Sequence, residues 1–166
     1  TQTDQDDTNL RYDTNLRDDT NLRFALQYPR TPEGWIKFPD DTNLRRALFT
    51  PEAIDHPAKF NLRMLVEILG LVAKPGQTIM DIMSGTGSIM IAALPPRNCS
   101  VICVEIEEKF HQLQQKTKQL EHFTTLPIML LRADCRDILP LPTNHIIFSP
   151  PYAAILKVKT EKLSDA

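Results

Sequence analysis

The chain is poor in the residues that would commit it to several large protein classes. Its 166 residues include only three cysteines, Cys99, Cys103 and Cys135. Three are too few for a disulfide framework, and their spacing matches no C-x-x-C metal or redox pattern; they are expected as buried thiols. No apolar run approaches the roughly twenty residues needed to cross a bilayer. The N-terminus is polar and acidic where a secretory signal would be basic and then apolar, so the chain is expected in the cytoplasm with no membrane partner. An excess of positive charge is also missing: 19 lysines and arginines against 21 acidic residues leave a net charge of −2. A nucleic-acid surface, whose affinity rests on basic side chains at phosphates, would therefore have to be local. Tryptophan occurs once and glycine five times, so the positions of both are informative.

What is present is enough for one domain, with 42% hydrophobic residues to build its core. The N-terminal segment repeats a short unit at Asp7–Arg11, Asp13–Arg17 and Asp19–Arg23, and once more at Asp41–Arg45, each reading Asp-Thr-Asn-Leu-Arg. A unit of about six residues is too short to build a solenoid. Dense charge and few aliphatic residues point to an acidic, poorly ordered arm over 1–45, with the folded domain at 46–166. The last copy differs because it runs straight into Arg46-Ala47-Leu48-Phe49, which can pack. Trp35, beside Ile36 and Phe38, is expected to pack the arm onto the domain, with contact to DNA as the alternative.

From His56 the pattern is regular. Pro57 is placed to start a helix carrying Leu62, Leu65, Val66, Leu69 and Val72 at helical spacing, stopped by Lys74-Pro75-Gly76. Short apolar strands are predicted at 78–82, 100–104, 127–131 and 145–148, separated by helices at about 89–94 and 107–122. Alternation of near-continuous apolar strands with helices predicts a doubly wound α/β domain, a Rossmann-like parallel sheet covered on both faces.

In such a sheet, ligands bind beyond the carboxyl ends of the strands. Asp81 through Ser88 holds that position after the first strand, and Gly85 and Gly87 let the backbone turn sharply and a ligand approach. Glu105, eighteen residues after Gly87, ends the second strand, where a carboxylate can accept both hydroxyls of a ribose. Together these indicate a nucleoside-containing cofactor. A dinucleotide fingerprint would require glycine or alanine at position 90, which is Met90. After the third strand, Asp134-Cys135 offers an acceptor for an adenine amine and a backbone N–H for the neighbouring ring nitrogen. Asp134 can also be the N-cap of a helix at Arg136, and the two roles are compatible.

With these residues assembled, the chain resembles a class I S-adenosylmethionine-dependent methyltransferase of the DNA N4-cytosine/N6-adenine methylase family, over about Asp41 to Tyr152. By that resemblance, His56, Pro57 and Lys59 border the methionine part of the cofactor. Asp81, Met83, Ser84, Gly85, Thr86, Gly87 and Ser88 form the cofactor loop, in which Ile82 stands where the family often has proline. Glu105 corresponds to the ribose acid, Asp134 and Cys135 to the adenine contacts, and Ser149-Pro150-Pro151-Tyr152 to the catalytic motif. The motif suits the chemistry it implies. An exocyclic amine is a poor nucleophile because its lone pair is delocalised into the ring. The Ser149 hydroxyl and a Pro150 carbonyl held by a rigid backbone can each accept a hydrogen bond from the amine and draw that density back. Tyr152 would stack a base rotated out of the duplex. Serine in the first position leans towards cytosine N4. A 5-methylcytosine enzyme would need a Pro-Cys nucleophile, and the chain has no Pro-Cys pair.

The resemblance implies a cytoplasmic bacterial, archaeal or phage-encoded enzyme with DNA as partner, of the kind used in restriction-modification. Two other classes fit the same residues: a methyltransferase acting on RNA or on a protein glutamine, and a non-catalytic cofactor-binding module. A complete sheet of this family has more strands than the four counted here. The remainder is expected from a C-terminal region or a partner chain, with the fourth strand otherwise an edge.

Overall fold

The computed structural model describes residues 28–54 and 59–150. Three short helices precede the sheet: α1 (Thr42–Leu48), α2 (Pro51–Ile54) and α3 (Leu62–Val72). The sheet then follows as β1 (Thr78–Asp81), a 3-10 helix (Ser88–Ala93), β2 (Ser100–Glu105), α4 (Glu108–Lys118), α5 (Glu121–Thr124), β3 (Ile128–Arg132), α6 (Cys135–Ile138) and β4 (His145–Ile146). All pairings are parallel and the order is β3-β2-β1-β4. The chain winds outward from β1 to β3 and then returns to the other side of β1, so the switch point of the sheet lies between β1 and β4.

Register divides the sheet into two unequal faces. Ile79, Val101 and Ile128 are aligned across three strands, with Cys103 beside Leu130. This face packs on Leu62, Leu65 and Leu69 of α3, on the 3-10 helix, and on Phe49, Ala53 and Phe123. Across the other face run Met129, Ile102, Met80 and Ile146. There Met80 is buried, but Met129 is 54% and Ile146 47% exposed. The expectation of a sheet covered on both faces therefore does not hold among the described residues, because α6, the crossover after β3, has only four residues.

Other expectations need correction. Helix α3 starts at Leu62, not Pro57: Asn61 is extended and its side chain accepts the Met64 N–H at 3.0 Å, which fixes the start there. The predicted helix at 89–94 is a 3-10 turn. It begins at Gly87 in the left-handed region (φ +85°), and all six residues are buried, which suits the tighter helix, with side chains on three sides. The helix read over 107–122 breaks at Leu120, whose extended backbone turns Phe123 into the core. β4 is shorter than read, although Asn144 and Ile147 still donate to Thr78 and Met80 carbonyls at 3.0 and 2.9 Å. Cys99 and Cys103 are buried, but Cys135 is half-buried.

The fourth repeat is part of the fold. Helix α1 runs through the boundary read between residues 45 and 46, and Arg45 is among the most deeply buried side chains. The other three copies lie outside the described residues. Among the described residues Trp35 packs against nothing that covers it and is 73% exposed. In the extended stretch after Gly34, Ile36 and Phe38 turn inward and alternate with Trp35 and Lys37, which face solvent. The anchoring aromatics are Tyr28 and Phe38, 4.8 Å apart, with the Tyr28 hydroxyl donating to Glu67 at 2.6 Å.

Candidate functional site

The loop after β1 is built from the inside outward. Ser84 donates its N–H and its hydroxyl to the Val104 carbonyl at 3.0 and 2.9 Å, which fastens the loop to the end of β2. The Gly87 N–H closes a turn on the Ser84 carbonyl at 2.7 Å. Gly85 (φ +51°) and Gly87 (φ +85°) both occupy left-handed backbone, which side chains other than glycine adopt only with strain. Their surroundings differ. A Cβ on Gly87 would lie 2.3 Å from the Met90 methyl, whereas one on Gly85 would meet nothing within 4 Å among the described residues. Gly87 is thus a packing glycine, and Gly85 faces open space. Thr86 and Ser88 are buried; Met83 is exposed.

Two carboxylates stand at the carboxyl ends of β1 and β2. Glu105 is buried and accepts the Gly85 N–H at 2.7 Å on one oxygen and the Glu107 N–H at 2.8 Å on the other. Each oxygen retains a second lone pair for a hydroxyl donor. Asp81 is buried and accepts the Met83 N–H at 2.9 Å. Burial raises its pKa to about 7, the charge of Glu105 adds to the rise, and the Met83 N–H opposes it.

Two residues beyond β3, Asp134 caps α6, accepting the Arg136 N–H at 2.9 Å and the Arg136 guanidinium at 2.5 Å. These bonds hold its pKa down at about 2. Cys135 is the first residue of α6, so its N–H is one that the helix leaves unbonded internally. Beyond β4, Ser149 is half-buried and Pro150 exposed. Lys59 Nζ donates to the Ile54 carbonyl. His56, Pro57, Pro151 and Tyr152 lie outside the described residues. Among the described residues no group of three or more His, Cys, Asp or Glu could hold a metal ion, and no helix is long and apolar enough to cross a membrane.

Two residues central to this arrangement escaped the sequence reading. Gln114 is fully buried and donates to the Ser84 hydroxyl at 2.8 Å and the Gly85 carbonyl at 2.7 Å. It supports the loop from α4. Its signal was its helical position: Phe110, Leu113, Gln114 and Thr117 share one face, so a polar side chain falls in an inward register. The other is Arg45, whose Nη1 donates to Ser88 Oγ at 3.0 Å.

No family model matches the chain and no curated protein matches it. Solved structures do. TrmN from Thermus thermophilus is 22% identical with a TM-score of 0.53, over 65% of this chain and 33% of that one. The SAM-dependent methyltransferase from Agrobacterium tumefaciens is 18% identical with a TM-score of 0.49, over 58% and 34%. One from Thiobacillus denitrificans, in complex with S-adenosyl-L-homocysteine, is 13% identical with a TM-score of 0.45, over 75% and 51%. The chain spans about a third of the length of TrmN. At 22% identity the likeness to TrmN concerns architecture alone, and together with the parallel sheet it shows that the chain has the Rossmann-like fold of class I methyltransferases.

Proposed function

We propose that this chain is the S-adenosylmethionine-binding part of a methyltransferase that modifies the exocyclic amine of cytosine (N4) or adenine (N6) in DNA. One observation carries the reading: the sheet order β3-β2-β1-β4 sets Asp134, Glu105, the loop 82–88 and Ser149-Pro150 one after another along a single carboxyl edge. From β3 to β1 is two strand spacings, about 10 Å. An adenine, a ribose and a methionine arm would meet acid, acid and glycine loop in that order. The last step crosses the switch point, where ligands of open α/β sheets bind.

The side chains fit such a cofactor. Glu105 keeps acceptor capacity for two ribose hydroxyls, and Gly85 leaves its outer side open. Asp134 becomes free for an adenine amine when Arg136 swings away. Arg136 is 84% exposed, and an ion pair this open to solvent is weakly held. The bound cofactor would supply an electrophilic sulfonium methyl. The chain's own contribution is at Ser149 and Pro150, where a hydroxyl oxygen and a carbonyl accept hydrogen bonds from the amine and hold its nitrogen for in-line attack on the methyl; the N–C bond forms as the S–C bond breaks, and the surplus amine proton passes to solvent. Tyr152 stacks the displaced base.

The test is twofold. Calorimetric titration of the full chain with S-adenosylmethionine is expected to show saturable binding that a Gly85→Trp, Asp134→Ala variant loses. Incubation with methyl-tritiated cofactor and either duplex DNA or RNA of the same sequence, followed by nucleoside analysis, is expected to place label in N4-methylcytosine or N6-methyladenine of the DNA. Label in RNA alone would overturn the DNA assignment, and absence of binding by a folded chain would overturn the cofactor.

A further inference from the structure

A single buried guanidinium joins the end of the glycine loop to the segment before α3. Arg45 is 1% exposed. Its Nη1 donates to Ser88 Oγ at 3.0 Å, and its Nη2 donates to the Phe60 carbonyl at 2.5 Å and to Asp41 Oδ2 at 2.8 Å. Ser88 is the last residue of the glycine loop, and Phe60 leads into α3. Asp41 Oδ2 also accepts the Leu62 N–H at 2.7 Å, so the same carboxylate neutralises the cation and ties down the first turn of α3.

Stability alone does not call for a cation at this position. A buried ion pair is often matched or bettered by well-packed apolar side chains, and Leu44, Leu48 and Phe49 already anchor α1 in the core. What an apolar side chain cannot do is hold acceptors on separate segments at a set distance, which the planar guanidinium fork does. Resting on the cofactor reading above, we propose that Arg45 is a positioning residue for the methyl-donor site. It holds the end of the glycine loop against the segment before α3, so that the open side of Gly85 keeps its shape. Arg45 touches no reacting atom. The proposal also gives the Asp-Thr-Asn-Leu-Arg unit a role in its fourth copy: Asp41 and Arg45, four residues apart, share one face of the α1 turn, and the aspartate makes the buried arginine tolerable.

The test separates fastening from mere stability. In the full chain, Arg45→Lys keeps a charge for Asp41 and Phe60 but loses the fork, and Ser88→Ala removes only the loop end of the link. Both variants are expected to stay folded at 25 °C by circular dichroism. Each is expected to bind S-adenosylmethionine about tenfold more weakly than the parent, the scale of one lost charge-assisted hydrogen bond. The double variant is expected to bind no more weakly than either single one, because both cut the same link. Parent-like affinity in the lysine and alanine variants, or losses that multiply in the double variant, would overturn the role of Arg45 while leaving the cofactor reading intact. No binding by the folded parent chain would overturn the cofactor reading, and this role with it. If Arg45→Lys does not fold, an Asp41→Asn, Arg45→Met variant, which leaves no lone buried charge, decides in its place: a tenfold loss supports the link and unchanged affinity removes it.

Discussion

Asp81 and the two loop glycines show how differently neighbouring residues in one site are constrained. Asp81 has a folded pKa raised to about 7 by burial, whereas the unfolded chain has the ordinary carboxylate value near 4. Between those values the folded state holds a proton that the unfolded state has released, so this group's contribution to stability falls as pH rises from about 4 to about 7, by about 1.4 kcal/mol per unit. The expected result is that the parent chain loses more stability than Asp81→Asn on going from pH 5 to pH 7.5, read from urea midpoints; parallel curves would rule the linkage out. For the glycines, Gly87→Ala should cost about 1–3 kcal/mol, from left-handed strain and displacement of the buried Met90. Gly85→Ala should cost about 1 kcal/mol of strain and act mainly on cofactor affinity. Urea midpoints and titration on both variants test this, and equal stability losses would contradict the contrast in their surroundings. The glycine loop and both acids could be picked out from residue type and spacing. The open side of Gly85 and the filled side of Gly87 could not, because the neighbours that decide them, Met90 and Gln114, are placed by packing.

At the scale of elements, helix ends depend on single side chains and the core depends on periodicity. Helix α3 has its inward residues where the spacing of Leu62, Leu65 and Leu69 predicts them, but its start at Leu62 lies five residues after Pro57 and is set by Asn61. Asn61→Ala removes the cap bond to Met64 and a bond from its amide to the Pro39 carbonyl. The expected cost is about 1 kcal/mol, measurable as a lowered urea midpoint with an unchanged slope; no shift would mean that the start of α3 is held by packing and the Asp41 bond to Leu62. Gln114 and Arg45 teach the same lesson from the other side. Both sit in inward helical registers, yet a polar residue in such a register reads as an error in the pattern until the loop it fastens is known.

Taken as a whole molecule, the sheet has one face built into a core and one that is partly exposed among the described residues. Ile79→Ala, at the centre of the packed face, should cost about 2–5 kcal/mol. Met129→Gln, on the exposed face, should change stability by no more than about 0.5 kcal/mol. A large loss at Met129 in the full chain would show that residues outside the described ones cover it. Sequence by itself determined the order of strands and helices, the parallel class of the sheet and the placing of acids and glycines at strand ends, because these follow from local periodicity and from the turns that glycine and proline permit. Only the tertiary structure decided that the fourth Asp-Thr-Asn-Leu-Arg unit belongs to the core and that, among the described residues, Trp35 faces solvent and one face of the sheet is left partly open. Each of these depends on which distant surface is available to be covered, a property of the packed chain that no short window of residues contains.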